Sequence, residues 1–255
     1  MKVVILAGGM GTRLAEETVT RPKPMVEIGG RPIIWHIMKH YAHYGYKEFV
    51  IALGYKGEMI KRYFHDYFHL NGSMTISLAD GKLEVHDQIK EDWMVHLVDT
   101  GLSTNTGGRI KKLEPWLKGE PFMLTYGDGV CNVDLNNLVQ FHNNCGKLVT
   151  VTAVRPPARF GSLNFTDGDL ITEFVEKPLS GEGWINGGFF VVEPGALEYI
   201  KEDVPWESEP LRNIATDGQL VAYRHDDFWQ CMDTYRELKI LENYWKSGAA
   251  PWKIW

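Results

Sequence analysis

Glycine-rich backbone set beside two basic side chains is the first chemistry this sequence offers. Residues 6–14 read LAGGMGTRL and residues 21–25 read RPKPM, directly behind an apolar run from Val3 to Leu6. Small glycines let backbone N–H groups approach phosphate oxygens and the flat face of a base closely. Arg13 and Lys23 add fixed positive charge that an anionic ligand needs and a surface loop does not. The pattern is not a dinucleotide fingerprint, because Leu14 stands where GxGxxG requires its third glycine, and the P-loop pattern GxxxxGK[ST] is absent. A tight turn with solvated basic residues is the plainer reading. Both pieces at this spacing behind a first strand favour a phosphate cradle instead.

Aspartates supply the second chemistry. TYGDGV places Asp128 just after the apolar run Phe122–Tyr126, flanked by Gly127 and Gly129, and WQCMDT places Asp233 late in the chain. Ligands of parallel α/β sheets sit at the carboxyl ends of strands, and two carboxylates with phosphate oxygens and water suit Mg2+. Asp128 could equally serve a turn, and Asp233 could cap the helix that follows it. FVEKP, ending in Glu176, Lys177 and Pro178, reads by itself as an exposed strand end, and WINGGFFVV, with Asn186 and Gly187, as a β-turn. DTGLSTNTGGR, residues 99–109, is a polar loop leading into a helix that Thr104 or Thr106 is suited to cap. His65 and His69 stand at metal-ligand spacing but lack a third ligand such as the glutamate of HExxH, so no metal is expected there.

These residues need elements to hold them. Val3–Leu6 and Phe49–Leu53 read as buried strands, Pro32–Tyr44 and Lys56–Leu70 as helices, with Gly45 just past the end of the first. Strand–helix–strand–helix order implies parallel strands with right-handed crossovers. Short runs over 74–98 predict a small antiparallel excursion around the DGK turn. The alternation resumes with a helix over 106–117, strand Phe122–Tyr126, a helix over 134–145 and strand Val149–Val154. Further strands follow at 161–165, 170–175, 187–192 and 219–224, with helices near 207–216 and over Tyr235–Lys246. No Pro/Gly/Ser-rich linker divides the chain, so the expectation is one α/β domain over residues 1–255, built on a mixed, mainly parallel sheet.

The 255 residues carry a net charge of −6, which argues against a nucleic-acid partner. No apolar run is long enough to cross a membrane, and the N-terminal run is too short for a signal-peptide core, so no membrane partner is expected. Three scattered cysteines form no disulfide framework and suit a reducing cytoplasm. The nine tryptophans belong more readily to a core or a subunit contact than to base stacking. The APWKIW tail is expected to pack on the body or on a neighbouring chain.

LAGGMGTRL followed by RPKPM, with EKP downstream, resembles the signature of the sugar-1-phosphate nucleotidyltransferases, over essentially the whole chain. KPMVEIGGRPIIWHIM, GYKG, LVDTG, TGGR, TYGDGV, RFGSL, INGGFF, FWQCMDT and APWK are similar to the family's cytidylyl-transferring branch. The resemblance implies a Rossmann-like nucleotidyltransferase fold and a reaction of CTP with α-D-glucose 1-phosphate, giving CDP-glucose and pyrophosphate. It implies a nucleotide held by Leu6, Ala7, Gly8, Gly9, Gly11, Thr12, Arg13, Lys23, Thr104, Arg109 and Gly127, and Arg13, Lys23 and Asp128 as catalytic residues. Mg2+ would lie on Asp128 and Asp233, and the sugar phosphate against Glu176, Lys177, Asn186 and Gly187. Arg155 and Arg159 receive no role. A homo-oligomer is expected, as is general for the family. Base and sugar choice rest on the resemblance alone; dTTP, UTP, GTP or another sugar 1-phosphate are open alternatives, as is a non-catalytic nucleotide-sugar sensor.

Overall fold

The structure is a computed structural model. It describes residues 1–87, 91–156, 162–165, 171–175 and 183–255, and for 15–16, 162–165 and 171–175 the backbone alone. Four strands, β1 (Lys2–Ala7), β2 (Glu48–Leu53), β3 (Met94–Asp99) and β4 (Phe122–Tyr126), run parallel in the order β4-β1-β2-β3. Beyond β4, the sheet continues through β6 (Val149–Val154) and β9 (Leu220–His225), which pair in parallel. Between β4 and β6 lies one interrupted antiparallel strand, made of β7 (Ile185–Asn186) and β8 (Phe190–Val192). The central sheet is therefore mixed and mainly parallel, as expected. Two short strands outside it, β5 (Gly129–Cys131) and β10 (Trp229–Cys231), pair with each other antiparallel.

Residues Val3 to Ala7 are buried on both faces, as a strand covered by helices on each side must be. Alternation sends Val3, Ile5 and Ala7 into one core with Tyr41, Leu135, Leu138 and Leu241, and Val4 and Leu6 into another with Ile110, Leu113 and Trp206. Helix α1 (Ile33–His43) begins after Pro32 in an extended conformation and ends before Gly45 at φ +87°. Helix α2 (Gly57–Leu70) joins β2 to the antiparallel hairpin Ser73–Ile76/Leu83–His86, which is the first part of the excursion expected over 74–98. The last run of that stretch, Met94–Asp99, is instead β3, hydrogen-bonded parallel to β2 in the central sheet. No helix among the described residues is long and apolar enough to cross a membrane.

The helix expected over 106–117 is broken. Helix α3 (Thr106–Lys112) ends at Leu113, and a separate turn spans Glu114–Leu117 with Pro115 in its first positions. Proline lacks an N–H and crowds the carbonyl four residues back, so the ladder cannot continue through it. Helix α4 (Leu135–Cys145) is capped by Asp134, which accepts from the Asn137 amide at 2.9 Å. Helix α5 (Tyr235–Lys246) closes the fold, and beyond it Trp252 is fully buried, stacked on Phe228 and Trp245. The indole Nε1 of Trp252 donates to His36 Nδ1 at 3.3 Å, and the other ring nitrogen of His36 meets the Ile28 carbonyl at 2.8 Å. The tail thus packs on α1 of its own chain.

Burial lowers the pKa of both His36 and His40 from 6.5 to about 4, so both rings are neutral in the folded state near neutral pH. The unfolded chain takes up these protons at higher pH than the folded one. Their contribution to stability is complete above about pH 6.5 and is lost as pH falls toward 4. The melting temperature is expected to drop across that window, with a shallower drop for His40→Phe; equal slopes for variant and wild type would show that His40 does not carry it.

Candidate functional site

A cleft of about 360 Å3 opens at the carboxyl ends of β1 and β4. Leu6, Ala7, Gly8, Gly9, Gly11, Lys23, Thr104, Arg109, Gly127 and Asp128 line it, so ten of the expected residues converge on one place. Leu14, fully buried in the core, anchors the far side of the glycine loop. Gly11 adopts φ +63°, a left-handed conformation that side chains disfavour. Its carbonyl accepts from the Leu14 amide and the Thr18 hydroxyl, both at 3.0 Å.

Lys23 sits in a single 3-10 turn, Lys23–Met25, between Pro22 and Pro24. The fixed φ of each proline stiffens the backbone on either side and leaves the side chain as the mobile part. Its ammonium, in a residue only 8% exposed, donates to Asp128 Oδ2 at 2.6 Å and to Asp233 Oδ1. The other oxygen of Asp233 accepts from Arg13 Nη1 at 3.0 Å. Burial opposes the charge on Lys23, yet the two carboxylates outweigh it and raise its pKa above the ordinary lysine value. The same contest holds at Asp233, where burial raises the pKa but Lys23 and Arg13 bring it below the usual carboxylate range.

Two aspartates 105 residues apart meet because β5 and β10 pair in a fixed register, with Gly129 opposite Cys231. The Met232 amide then bonds the Asp128 carbonyl at 2.9 Å, which sets Asp233 beside Asp128. Asp233 does not cap the last helix. Thr234 does, in a capping box with Glu237, and the Asp233 amide also donates to Glu237. Its carboxylate is left to face Lys23. Near it, the Cys231 thiol lies 3.9 Å from Asp233 Oδ2, and burial with the surrounding carboxylates pushes it up to about 12, so it stays protonated.

Arg109 borders the cleft but turns its guanidinium inward. It donates to the carbonyls of Gly8, Leu53, Gly101 and Leu102 and to the Thr100 hydroxyl, at 2.6–3.2 Å. A Cβ at Gly8 would overlap that guanidinium, so glycine there serves the arginine as much as any ligand. Neither threonine caps α3: Thr104 donates to the Thr100 carbonyl, while Thr106 donates to Glu207 and accepts from the Trp206 amide. At that helix start the Gly107 amide is already taken by the Val204 carbonyl at 3.0 Å.

Thr12 and Arg13 are exposed, and neither they nor Asp233 are among the residues that line the cleft. Asn186 reaches the cleft through Tyr126, whose hydroxyl accepts from Asn186 Nδ2 at 3.2 Å and donates to Glu207 Oε1 at 2.6 Å. Burial and the Glu207 carboxylate hold that phenol well above its ordinary pKa, so it remains a donor. The Gly187 carbonyl accepts from Trp229 Nε1 at 2.8 Å, which ties the turn between β7 and β8 to β10. Glu176, Lys177 and Arg159 lie outside the described residues. Arg155 sits over the Trp184 ring, 4.8 Å from its centroid, and pairs with Asp226. Tyr126 and Glu207 are cleft residues that sequence reasoning missed, and Thr106, read there only as a helix cap, lines the cleft as well. Tyr126 had a usable signal, since it ends the strand that delivers Asp128; Glu207 had none nearby.

A sequence profile of the nucleotidyl transferase family matches residues 2–245, and the chain belongs to that family. It is 50% identical over 257 aligned positions to the glucose-1-phosphate cytidylyltransferase of Salmonella typhimurium, covering 100% of both chains. It is 31% identical over 237 positions to the mannose-1-phosphate guanyltransferase of Emericella nidulans, covering 90% of this chain and 60% of that one. Among solved structures it resembles an apo UDP-glucose pyrophosphorylase, with a TM-score of 0.71, 18% identity, and 97% and 98% of the two chains covered.

Arg109→Met leaves buried carbonyls without their donor. It is expected to lower the unfolding free energy in urea by about 3 kcal/mol. A loss below about 1 kcal/mol, the size of one ordinary hydrogen bond, would show that the loop holds without it.

Proposed function

We propose that the protein transfers the cytidylyl group of CTP to α-D-glucose 1-phosphate, releasing pyrophosphate. The observation that carries this reading is the cluster of Lys23, Arg13, Asp128 and Asp233, of which Lys23 and Asp128 line the glycine-loop cleft and Arg13 and Asp233 are joined to them by hydrogen bonds. Half identity over full length to the Salmonella enzyme, against 31% to a guanyltransferase, supports cytosine and glucose over the alternatives.

A sugar phosphate is largely dianionic at neutral pH, with a second pKa of about 6, so its oxygen needs no general base. That oxygen forms a bond to the α-phosphorus while the bond from that phosphorus to the bridging oxygen breaks, and the electron pair leaves with pyrophosphate. The task left to the protein is to align anions that repel one another. Arg13 and Lys23 hold the triphosphate and stabilise the departing charge, and the glycine loop packs against the nucleoside. Asn186, Gly187, Glu176 and Lys177 are assigned to the sugar phosphate. Asp128 and Asp233 present hard oxygens to one point, a donor set that fits Mg2+ completed by phosphate and water. When bound there, Mg2+ neutralises phosphate charge.

We assign the protein to the cytoplasm, where its three free cysteines stay reduced. We further assign it a homo-oligomeric state, with the hairpin after α2 as a contact. Ile76 and Leu83 form an exposed cross-strand pair there, and Leu78 in the connecting loop is 95% exposed. A two-stranded hairpin is marginal by itself, and a second copy would cover this face. Wild type is expected to elute as an oligomer by light scattering and Leu78→Asp as a smaller species. An unchanged mass for the variant would remove the hairpin from the interface.

Pyrophosphate release with Mg2+, crossing CTP, dTTP, UTP and GTP with several sugar 1-phosphates, tests the function. Turnover is expected with CTP and glucose 1-phosphate, and strong turnover only with another pair would correct the substrates. Silence from folded, nucleotide-binding protein would favour a sensor. Asp128→Asn is expected to lose roughly a hundredfold in kcat and to need more Mg2+. An Mg2+ titration matching wild type would remove Asp128 from the metal.

A further inference from the structure

Lys23 and Arg13 face carboxylates in this structure, whereas the proposed reaction assigns them to phosphates. Three of the four carboxylate oxygens of Asp128 and Asp233 are engaged by these two cations, and the four formal charges cancel. Among the described residues no cluster of three or more His, Cys, Asp or Glu side chains is arranged to hold a metal ion. The two aspartates are thus both short of further protein ligands and already paired.

We propose that Lys23 is a placeholder for the divalent cation: its ammonium occupies the aspartate pair until a triphosphate draws it away. The inference rests on the nucleotidyltransferase reading and concerns the order in which that site fills. The backbone around Lys23 is stiffened by Pro22 and Pro24, but its four-carbon stem has free rotations, so the ammonium changes partners without moving the loop. The residue lines the same cleft as Gly8, Gly9 and Gly11, so phosphates held by that loop come within reach of the stem. Arg13, whose side chain is 78% exposed, swings more freely still. As a triphosphate arrives, Lys23 and Arg13 exchange carboxylate for phosphate oxygens, and Asp128 and Asp233 are released to a divalent ion. No covalent bond forms or breaks in the exchange.

Two consequences distinguish this arrangement from a lysine that merely binds phosphate. The nucleotide-free protein binds a divalent ion weakly, because entry must displace an ammonium held by both carboxylates. Removing Lys23 therefore moves the two affinities in opposite directions: triphosphate binds less tightly, and metal alone binds more tightly. A purely structural lysine would weaken both.

The probe is Mn2+ alone, followed by electron paramagnetic resonance of the free ion in nucleotide-free protein. Lys23→Met is expected to bind Mn2+ roughly tenfold more tightly than wild type, a usual size for coupling within one protein. Lys23→Arg, which keeps the cation, is expected to stay as weak as wild type. The double variant Lys23→Met/Asp128→Asn is expected to lose the gain, which locates the ion on the aspartates. Arg13→Met, at an exposed position, is expected to shift affinity in the same direction by less and serves if Lys23→Met does not fold. Folded variants at both positions that bind Mn2+ no better than wild type would overturn the exchange. The substrate panel separates this outcome from failure of the underlying reading. Turnover by wild type without Mn2+ gain in the variants leaves the function standing, and Mn2+ gain without turnover on any pair leaves only the exchange.

Discussion

One buried ammonium joins three distant parts of this chain. Lys23 belongs to the loop region behind the first strand, Asp128 to the end of the fourth strand of the parallel set, and Asp233 to the approach of the last helix. Burying a charge is costly unless it is paired, and here the pairing is double. Each partner is held from outside the cluster: the lysine by flanking prolines, Asp128 and Asp233 by the short ladder that joins β5 to β10. A shift of any one of these elements would strand a charge in a partly dry site, so the cluster constrains where all three can sit.

A second cation is used in the opposite way. Arg109 carries a full charge but meets dipoles, and its fan of bonds to backbone carbonyls converts that charge into geometry for the Gly8 loop and the ends of β2 and β3. The division follows from side-chain chemistry. A planar guanidinium with five donors suits several fixed acceptors, whereas a compact ammonium on a flexible stem suits partners that change. Also lining the cleft, Tyr126, Thr106 and Glu207 form a polar chain of hydroxyls and one carboxylate that runs from the start of α3 to Asn186.

Much of this was legible in the residues. The apolar run Val3–Leu6, the helix framed by Pro32 and Gly45, and the glycine loop with its basic partners carry strong local signals, because strand burial, helix ends and close backbone approach each restrict residue type. What stayed hidden is what depends on contacts across the chain. GVC and WQC are three-residue strands with no periodicity to read, yet their register places Asp128 beside Asp233. Arg109 gave no sign of facing inward, since an arginine in a polar loop looks the same in sequence whether it meets a ligand or its own backbone. Pro115 did carry the signal for a helix break, but it stands inside an otherwise helical pattern that masks it. Glu207 enters the cleft from a segment with no motif of its own.

The β5–β10 ladder has a consequence for how ligand occupancy and folding relate. Its two strands come from positions about a hundred residues apart, and they hold the aspartates in register outside the main sheet. A half-site has no counterpart in any fragment that lacks either strand. The cost of closing that long loop is met by the folded chain as a whole. Whatever binds across the cluster therefore binds only the complete fold, and its free energy of binding adds directly to the free energy that keeps the two halves of the chain together.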